Sequence, residues 1–296
     1  MHSIDFYGRK LNTYRAALHN HTTNSDGSFT PEELIGRYRE LGFDAVAFSD
    51  HRTVNRISEY DGRGMTLICG AEMHPDGPRG LFWHMLALGL PEEFPLDNQA
   101  PAQEQLSAAV AAGAVVFAAH PYWSLIRSGD IEALKGFSGI EVYNSSCRYI
   151  GKEFSMEAWD ELLNTGSGRY TALATDDTHT DNEIGHGWTE ICAEENTPEA
   201  LLKALKNGDF YATNGPVIRR LSWENNVFEA EFSEVVDACL VSDLWFGWRD
   251  RNETAPQPIH SLRVEIPDLT GKTYLRLQIK DAAGHYAWSN PVFLTK

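Results

Sequence analysis

The fold is decided by residues 13–51, TYRAALHNHTTNSDGSFTPEELIGRYRELGFDAVAFSDH. Two short apolar runs, TYRAAL and DAVAF, flank the segment TPEELIGRYRELG, whose apolar residues recur at the spacing of an amphipathic helix. Thr30 is the predicted N-cap of this helix, Pro31 takes its first position and Gly42 follows its last turn. The stretch therefore predicts a strand, a helix and a second strand, with polar residues directly after each strand.

The same alternation continues to about residue 213. Thr197 and Pro198 begin another predicted helix, and Gly113 and Gly208 stand where helices should end. Apolar runs that alternate with helices indicate β/α units and a mostly parallel sheet, and seven such runs suggest a barrel. The five further runs are MTLICGAE, HMLALGL, AVVFAAHP, GIEVYN and YTALATDDTH.

The pattern of the sequence changes after residue 214. Helical periodicity disappears, and short segments such as VFEAEFSE and TYLRLQIKD alternate apolar and polar residues, which is typical of antiparallel strands. Asn214-Gly215-Pro216 is a strong breaker between the two parts. We therefore predict an α/β domain over residues 1–214 and a small β-rich domain over residues 215–296.

Polar side chains lie at the ends of the predicted strands. In a β/α barrel the carboxyl ends of the strands converge on one mouth, where active sites are built. One histidine there is more often an ordinary polar residue than a ligand, but six among carboxylates would be poorly paired if buried without a cation. Imidazole and carboxylate together suit zinc, iron or manganese. The residues are His19, His21, Asp50, His51, Glu72, His120, Glu141, Asn144, Asp176, Asp177 and His179, with His84 opening its strand.

Charge and composition argue against several classes of protein. The chain has 25 Lys plus Arg and 42 Asp plus Glu, a formal net charge of −17, whereas nucleic acids and anionic membranes attract basic surfaces. No run approaches the roughly 20 apolar residues of a membrane helix, and the N-terminus MHSIDFYGRKLN lacks the apolar core of a secretory signal. Four widely spaced cysteines without a C-x-x-C pair suit neither a disulfide scaffold nor a thiolate zinc site. We therefore expect a cytoplasmic protein that binds neither nucleic-acid polymers nor membranes.

The run LHNHTTNSDGSFTPEELIGRYRELGFDAVAFSDH, followed by GAE, HP and DDTH, resembles the PHP (polymerase and histidinol phosphatase) family. The resemblance covers residue 14 to about residue 217, including the run FYATNGP. Its nearest look-alikes are stand-alone metal-dependent phosphoesterases and relatives that cleave carbamates or amides. It implies that residues 1–214 are a catalytic domain with a distorted seven-stranded (β/α)7 barrel, similar to a TIM barrel, that holds two or three divalent metals.

The resemblance also implies which side chains bind metal. The first ion would take His19, His21, Glu72 and Asp177, the second Glu72 as a bridge with His84 and His120, and the third Asp26, His51 and His179. Some relatives have histidine where Asp26 stands, so a two-metal enzyme stays open. His74 competes with His84 for one position, and His84 is preferred because it borders an apolar run, whereas His74 lies in a loop rich in proline and glycine.

Other residues near the mouth are candidates for catalysis and substrate binding. Besides Glu72, we predict that Asp177 orients the nucleophile or accepts its proton, and that His186, in a glycine-flanked loop, donates a proton or contacts the substrate. Three arginines follow strand ends and form a predicted phosphate pocket, and three aromatic residues would either face the leaving group or belong to the core. They are Arg52, Arg127 and Arg148, and Trp83, Tyr122 and Trp123.

These expectations favour a phosphoesterase that acts on a small phosphorylated metabolite or nucleotide. The nucleophile would be a metal-bound hydroxide, because metal binding lowers the pKa of water from about 15.7 to about 7. The same site would also suit a carboxyl ester, an amide or a carbamate, and the sequence separates these reactions only weakly. A metal-holding regulatory protein without turnover is the third alternative, and the nearly complete ligand set speaks against it. The expected partner is a small-molecule substrate.

Overall fold

The computed structural model describes residues 2–165, 168–251 and 257–294, and in them the chain forms six α-helices and eighteen strands. The strands up to the predicted breaker are β1 (His2–Phe6), β2 (Arg9–Ala17), β3 (Ala45–Phe48), β4 (Thr66–Met73), β5 (Met85–Leu88), β6 (Val115–Ala118), β7 (Phe137–Asn144), β8 (Thr171–Thr175), β9 (Trp188–Ala193) and β10 (Phe210–Thr213). The helices are α1 (Pro31–Glu40), α2 (Ala102–Ala111), α3 (Pro121–Ser124), α4 (Ser128–Ala133), α5 (Met156–Asn164) and α6 (Pro198–Asn207). The later strands are β11 (Ile218–Glu224), β12 (Val227–Val235), β13 (Asp237–Val241), β14 (Gly247–Arg251), β15 (Ile259–Glu265), β16 (Tyr274–Lys280), β17 (Tyr286–Ser289) and β18 (Val292–Phe293).

The predicted helix caps are confirmed. Thr30 accepts a hydrogen bond from the main-chain N–H of Glu33 at 3.3 Å, and the Glu33 carboxylate accepts one from the main-chain N–H of Thr30 at 2.9 Å. This reciprocal pair satisfies two donors that the first turn of α1 would otherwise leave free. Thr197 caps α6 by accepting from the main-chain N–H of Ala200 at 3.3 Å, without a reciprocal bond, and Gly208 ends the helix at a φ of 79°. A left-handed residue at that position favours glycine, which has no Cβ to clash.

The sheet is mixed, whereas the sequence predicted a mostly parallel one. Strands β2, β3 and β4 pair parallel, and so do β6, β7 and β8. Strand β5 runs antiparallel to both β4 and β6. The start of β5 therefore lies at the same edge as the ends of its neighbours. His84, directly before β5, reaches the edge at which the other strands end.

The molecule is an α/β protein with more strands than a regular barrel requires. All seven predicted strands form, as β2 to β8, but β1, β9, β10 and β14 were not predicted. No α-helix separates β3 from β4 or β4 from β5. The seven-stranded β/α barrel therefore stays a prediction, while the α/β class and the large mixed sheet are observed.

Burial on both faces explains why the sequences of the central strands are continuous apolar runs. Ala45 and Ala47 of β3 pack in one buried cluster, whereas Val46 and Phe48 of the same strand pack in another. Alternate side chains point to opposite faces of a strand, so a strand buried on both faces has no polar positions. Helix α6 contributes Leu201 to the first cluster, which also holds side chains of β2, β4, β5 and β6.

The strands after residue 218 pair antiparallel with one another, as the alternating pattern predicted. They continue the sheet through the ladders β10–β17 and β1–β11. Buried Arg276 of β16 also donates to Asp160 of α5 at 2.6 and 3.0 Å and stacks on Trp159. The division of the chain at residue 214 stays a prediction. No helix in the described ranges is long and apolar enough to cross a membrane.

Candidate metal centre

Glu72, near the end of β4, lies at the centre of a cluster of imidazoles. Its side chain is fully buried, so its carboxylate is removed from bulk solvent. The six nearest imidazole nitrogens are those of His84 at 2.8 Å and His120 at 3.4 Å from Oε1, and of His51 at 2.8 Å, His74 at 3.2 Å, His19 at 3.3 Å and His21 at 3.5 Å from Oε2. The two carboxylate oxygens thus face two separate groups of ligand atoms.

Asp177, after β8, approaches the same cluster from the other side. Its Oδ1 lies 3.0 Å from Nε2 of His21 and 3.4 Å from Nε2 of His19, and its Oδ2 lies 3.7 Å from Nε2 of His120. The two histidines of the H-x-H motif bring their Nε2 atoms within 3.1 Å of each other. The i, i+2 spacing therefore does place both imidazoles toward one point, as predicted.

A third group lies toward solvent. Nε2 of His51 is 3.4 Å and Nε2 of His179 is 3.6 Å from the carboxylate of Asp26. The rings of these two histidines both stack on the ring of His21, with centroid separations of 4.1 and 4.3 Å. All nine side chains that the sequence nominated as ligands therefore belong to one connected cluster, and Asp26 is its most exposed member.

The donor set fits metal ions better than it fits hydrogen bonding. Glu72 Oε2 and His21 Nδ1 are both buried, and neither makes a hydrogen bond to any described residue, although four imidazole nitrogens lie within 3.5 Å of that oxygen. Buried polar atoms without partners are rare and costly. Nitrogen and oxygen lone pairs that converge in this way match the ligand preferences of zinc, iron and manganese.

Electrostatics keep two carboxylates of the cluster ionised and His84 neutral, whereas the nearby carboxylates outweigh burial and raise the pKa values of His19, His51 and His120. Burial alone would raise the pKa of Glu72, but the imidazoles around it, His19 foremost, hold that pKa well below its ordinary value. The pKa of Asp177 is held low against burial in the same way, by His19 and His21. Burial lowers the pKa of His84 to about 4, so this imidazole is neutral at pH 7. Ionised carboxylates and neutral imidazoles are the forms that bind metal.

Glu141 on β7 is a supporting residue that the sequence reasoning left without a role. Its Oε1 accepts hydrogen bonds from Nδ1 of His19 at 2.6 Å and from Thr175 at 2.8 Å, while Oε2 accepts from the main-chain N–H of His120 at 2.9 Å. A carboxylate on one ring nitrogen fixes the orientation of the imidazole and leaves the other nitrogen for metal. The signal was available, because Glu141, like Glu72, lies within the last four residues of its strand.

Asp50 and Asp176 lie next to ligand candidates but face away from the cluster. Asp50 accepts four hydrogen bonds from side chains and main chain of the loop that carries Asp26 and from Asn55. Asp176 accepts from Tyr38 and from three main-chain N–H groups of residues 185–187. Successive residues of an extended chain point to opposite sides. Each Asp therefore holds a loop while its neighbour enters the cluster.

Three residues at this edge have left-handed backbone conformations. The φ angle is 57° at Arg52, 29° at His120 and 52° at Asp177. Such angles are uncommon for residues other than glycine and cost of order 1–3 kcal/mol each. They persist where the surroundings hold them, here by main-chain bonds such as Arg52 N–H to Glu72 O at 2.9 Å. Backbone strain of this kind is concentrated at functional sites.

The predicted substrate contacts do not all reach the cluster. Arg52 follows His51, and its guanidinium lies 5.7 Å from the Phe82 ring centre. Arg148 donates to Ser145 and to the main-chain carbonyl of Asn182, which holds it over the loop after β8. Arg127 is exposed at the start of α4, where its main-chain N–H donates to Asp130 at 2.9 Å, and no described contact joins it to the cluster. Its role stays a prediction.

Some of the remaining candidates contact the cluster and others do not. The exposed side chain of His186 lies outside the ligand cluster, and burial together with the charge of Arg148 lowers its pKa. His74, given second place in the sequence, lies as close to Glu72 as several nominated ligands. Asn144 donates to Asp177 Oδ2 at 3.1 Å and therefore orients that carboxylate. Trp83 is buried in the core, whereas Tyr122 and Trp123 are exposed.

Comparison with known proteins identifies one family model and several solved structures. A PHP domain model matches residues 17–185, and no curated protein matches. A two-domain protein from Bacteroides vulgatus, named as containing a predicted PHP-like metal-dependent phosphoesterase, is 17% identical, with a TM-score of 0.56 over 97% of this chain and 96% of that one. At this identity it shows a shared fold.

Two further structures are similar over smaller parts. An amidohydrolase from Chromobacterium violaceum is 18% identical with a TM-score of 0.46, and the match covers 57% of this chain and 88% of that one. The lesion-specific endonuclease EndoQ from Pyrococcus furiosus is 16% identical with a TM-score of 0.47, and the match covers 66% of this chain and 56% of that one.

Proposed function

Because the chain belongs to the PHP domain family, we propose that it is a metal-dependent hydrolase that cleaves phosphate esters of small molecules. The observation that carries this proposal is the convergence of six imidazoles on Glu72, with a buried carboxylate oxygen that no hydrogen bond satisfies. A site built only for stability would pair that oxygen, since an unpaired buried acceptor costs about 1–3 kcal/mol.

Among the described residues, five overlapping groups have ligand atoms close enough to share an ion, and we propose that they form three sets of ligands. We propose His19, His21, Glu72 and Asp177 for one ion, Glu72, His84 and His120 for a second, and Asp26, His51 and His179 for a third. Zinc, iron and manganese all suit these donors. When bound, the ions would supply Lewis acidity, because they stabilise negative charge on the substrate oxygens and lower the pKa of water. Because Asp26 is exposed, we expect the third set to bind its ion most weakly.

The protein's own groups would orient the reactants. Glu141 fixes the ring of His19, and Asn144 fixes the carboxylate of Asp177. In hydrolysis the oxygen of water bonds to phosphorus and the bond from phosphorus to the ester oxygen breaks, while the attacking water gives up a proton and the leaving oxygen takes one up from solvent water. We assign to Asp177 the orientation of the attacking water and the acceptance of its proton.

We propose His186 as a substrate contact. The lowered pKa leaves its imidazole neutral near pH 7, which makes it a poor proton donor. Its exposed side chain lies in the loop that Asp176 holds against the mouth. We propose Arg52 and Arg148 as phosphate contacts, because both follow strand ends next to cluster residues and neither forms an ion pair within the described ranges.

The direct test is an activity panel with protein that has been loaded with zinc, iron or manganese. We expect turnover of small phosphate monoesters or diesters above that of matched carboxyl esters, amides and carbamates. Addition of a chelator should abolish the activity and addition of metal should restore it. Hydrolysis of only the carboxyl compounds would replace the phosphoesterase proposal with the alternative reaction on the same cluster. Lack of turnover in both panels by metal-loaded protein would contradict an enzyme of either kind.

A further inference from the structure

His74 is an imidazole of the cluster that the three proposed ligand sets leave without a role. Its side chain is only 10% exposed, and its Nε2 lies 3.2 Å from Oε2 of Glu72 and 2.8 Å from Nδ1 of His51. A separation of 2.8 Å between two imidazole nitrogens is a hydrogen-bond distance, at which one ring donates and the other accepts. His51, a member of the third set, thus has Asp26 at one ring nitrogen and His74 at the other.

Two local features bring His74 to this position. Residues two apart in an extended chain point to the same side, so His74 follows Glu72 into the cluster. The loop then folds back as a tight hairpin, in which the main-chain N–H of Gly77 donates to the carbonyl of Leu81 at 2.7 Å. A Cβ at Gly77 would come within 2.9 Å of that oxygen, so the turn favours glycine. The hairpin lays the ring of His74 next to that of His84, with centroids 4.2 Å apart.

Three other ligand candidates have a hydrogen-bond partner on one ring nitrogen and face the cluster with the other. In each of them Nε2 faces a carboxylate of the cluster. A bond at one nitrogen fixes the orientation of the ring and leaves the second nitrogen for metal. The Nδ1 atoms of His19, His120 and His179 lie 2.6, 3.0 and 2.9 Å from the Glu141 carboxylate, the Ser124 hydroxyl and the main-chain carbonyl of Asp177, respectively.

Nδ1 of His51 has two possible partners of this kind. Oε2 of Glu72 and Nε2 of His74 both lie 2.8 Å away. Glu72 is the proposed bridging ligand, so its lone pairs would be taken by ions, and His74 is then the remaining acceptor among the described residues. We infer that His74 is a positioning residue that orients His51 toward the third ion and thereby sets the affinity for that ion. The inference rests on the metal site of the proposed function and deepens it.

The test measures the number and the affinity of manganese ions bound to the full-length protein, by competition with a chelator. His74→Ala should weaken the most weakly bound ion by roughly 10- to 100-fold, the usual cost of removing a partner that orients a metal ligand, and should leave the other two in place. His74→Gln should restore most of that affinity, because the carbonyl oxygen of glutamine accepts the same hydrogen bond. His260→Ala is the matched control and should change nothing, since it removes an imidazole of β15 that lies outside the cluster.

Two further measurements separate orientation of His51 from direct metal binding by His74. In a His51→Ala protein, the additional change His74→Ala should cause no further loss of metal, because the effect of His74 passes through His51. The absorption spectrum of protein saturated with cobalt should be the same for the wild type and for His74→Ala, because the ligands themselves are unchanged. An altered spectrum would make His74 a ligand and overturn the positioning role.

These results do not depend on turnover, so they separate the inference from the proposed activity. If phosphate esters are not hydrolysed but His74→Ala weakens the third ion, the proposed function fails and the role of His74 stands. If esters are hydrolysed and His74→Ala binds all its ions as tightly as the wild type, the role of His74 is wrong. Wild-type protein that binds no third ion at saturation would overturn the inference as well.

Discussion

Replacing Glu72 with glutamine is expected to remove at least one metal ion per chain and to lower turnover by more than about 100-fold. Loss of a residue that only orients a ligand typically costs about 10- to 100-fold, so loss of a bridging ligand should exceed that range. Glutamine keeps the shape of the side chain but removes the charge that both oxygens present to six imidazoles. Metal content and rate would be measured on the same preparation.

The matched control is Glu190→Gln. Glu190 of β9 is also a buried carboxylate, but its Oε1 accepts from the indole N–H of Trp188 at 2.9 Å and the residue lies outside the ligand cluster. That variant should keep its metal and its rate. A Glu72→Gln protein with full metal content and the wild-type rate would show that Glu72 does not bridge the ions.

Asp177→Asn is expected to lower turnover by a similar factor while the ion assigned to Glu72, His84 and His120 stays bound. Asparagine tolerates the left-handed backbone at this position, so the fold should persist. The amide brings one NH2 group in place of a carboxylate oxygen. That group would face either the donating Nδ2 of Asn144 or Nε2 of His21, and one of these contacts is lost.

Asp181→Asn is the control for this second variant. Asp181 follows β8 in the same loop, and its exposed carboxylate pairs with Arg37 at 3.3 Å. An exposed ion pair contributes only about 0–1 kcal/mol, so neither stability nor rate should change much. Asp177→Asn protein with the wild-type rate would remove Asp177 from the proposed mechanism. Loss of all metal in that variant would show that the ions do not bind separately.

The sequence predicted which side chains lie close together, because strand ends are local features. Most candidates stand two to four residues beyond an apolar strand, as His19 and His21 stand beyond β2 and Asp177 beyond β8, while Glu72 lies near the end of β4 and His84 directly before β5. Parallel neighbours bring those ends together whatever the rest of the chain does. The helix caps at Thr30 and Thr197 were predictable for the same reason, since four consecutive residues decide them.

Features that depend on distant parts of the chain were not predictable. The apolar run of β5 has no local mark of its antiparallel direction, because a fully buried strand is apolar on both faces in either direction. The nearness of His74 to Glu72 depends on how the loop before β5 folds back, and the loop composition argued against it. Glu141 was visible at its strand end, but its role required knowing that His19 lies 2.6 Å away.

The sheet also contains strands and long-range pairings that the sequence did not predict. Strand β1 pairs with β2 and with β11, which lies more than two hundred residues further along the chain. Strand β9 pairs with β2 and β10, between the α/β part and the later strands. Long-range pairings of this kind are set by side-chain fit across the sheet, which no local window of sequence contains.

The most direct test of the central claim is the metal content of the full-length protein. Protein purified without chelator, and then incubated with zinc, iron or manganese and desalted, would be analysed for each element against protein concentration. The buried, unpaired oxygen of Glu72 and the overlapping groups of ligand atoms in the cluster predict at least two transition-metal ions per chain. Protein that contains no metal as purified and binds none on incubation would contradict the account.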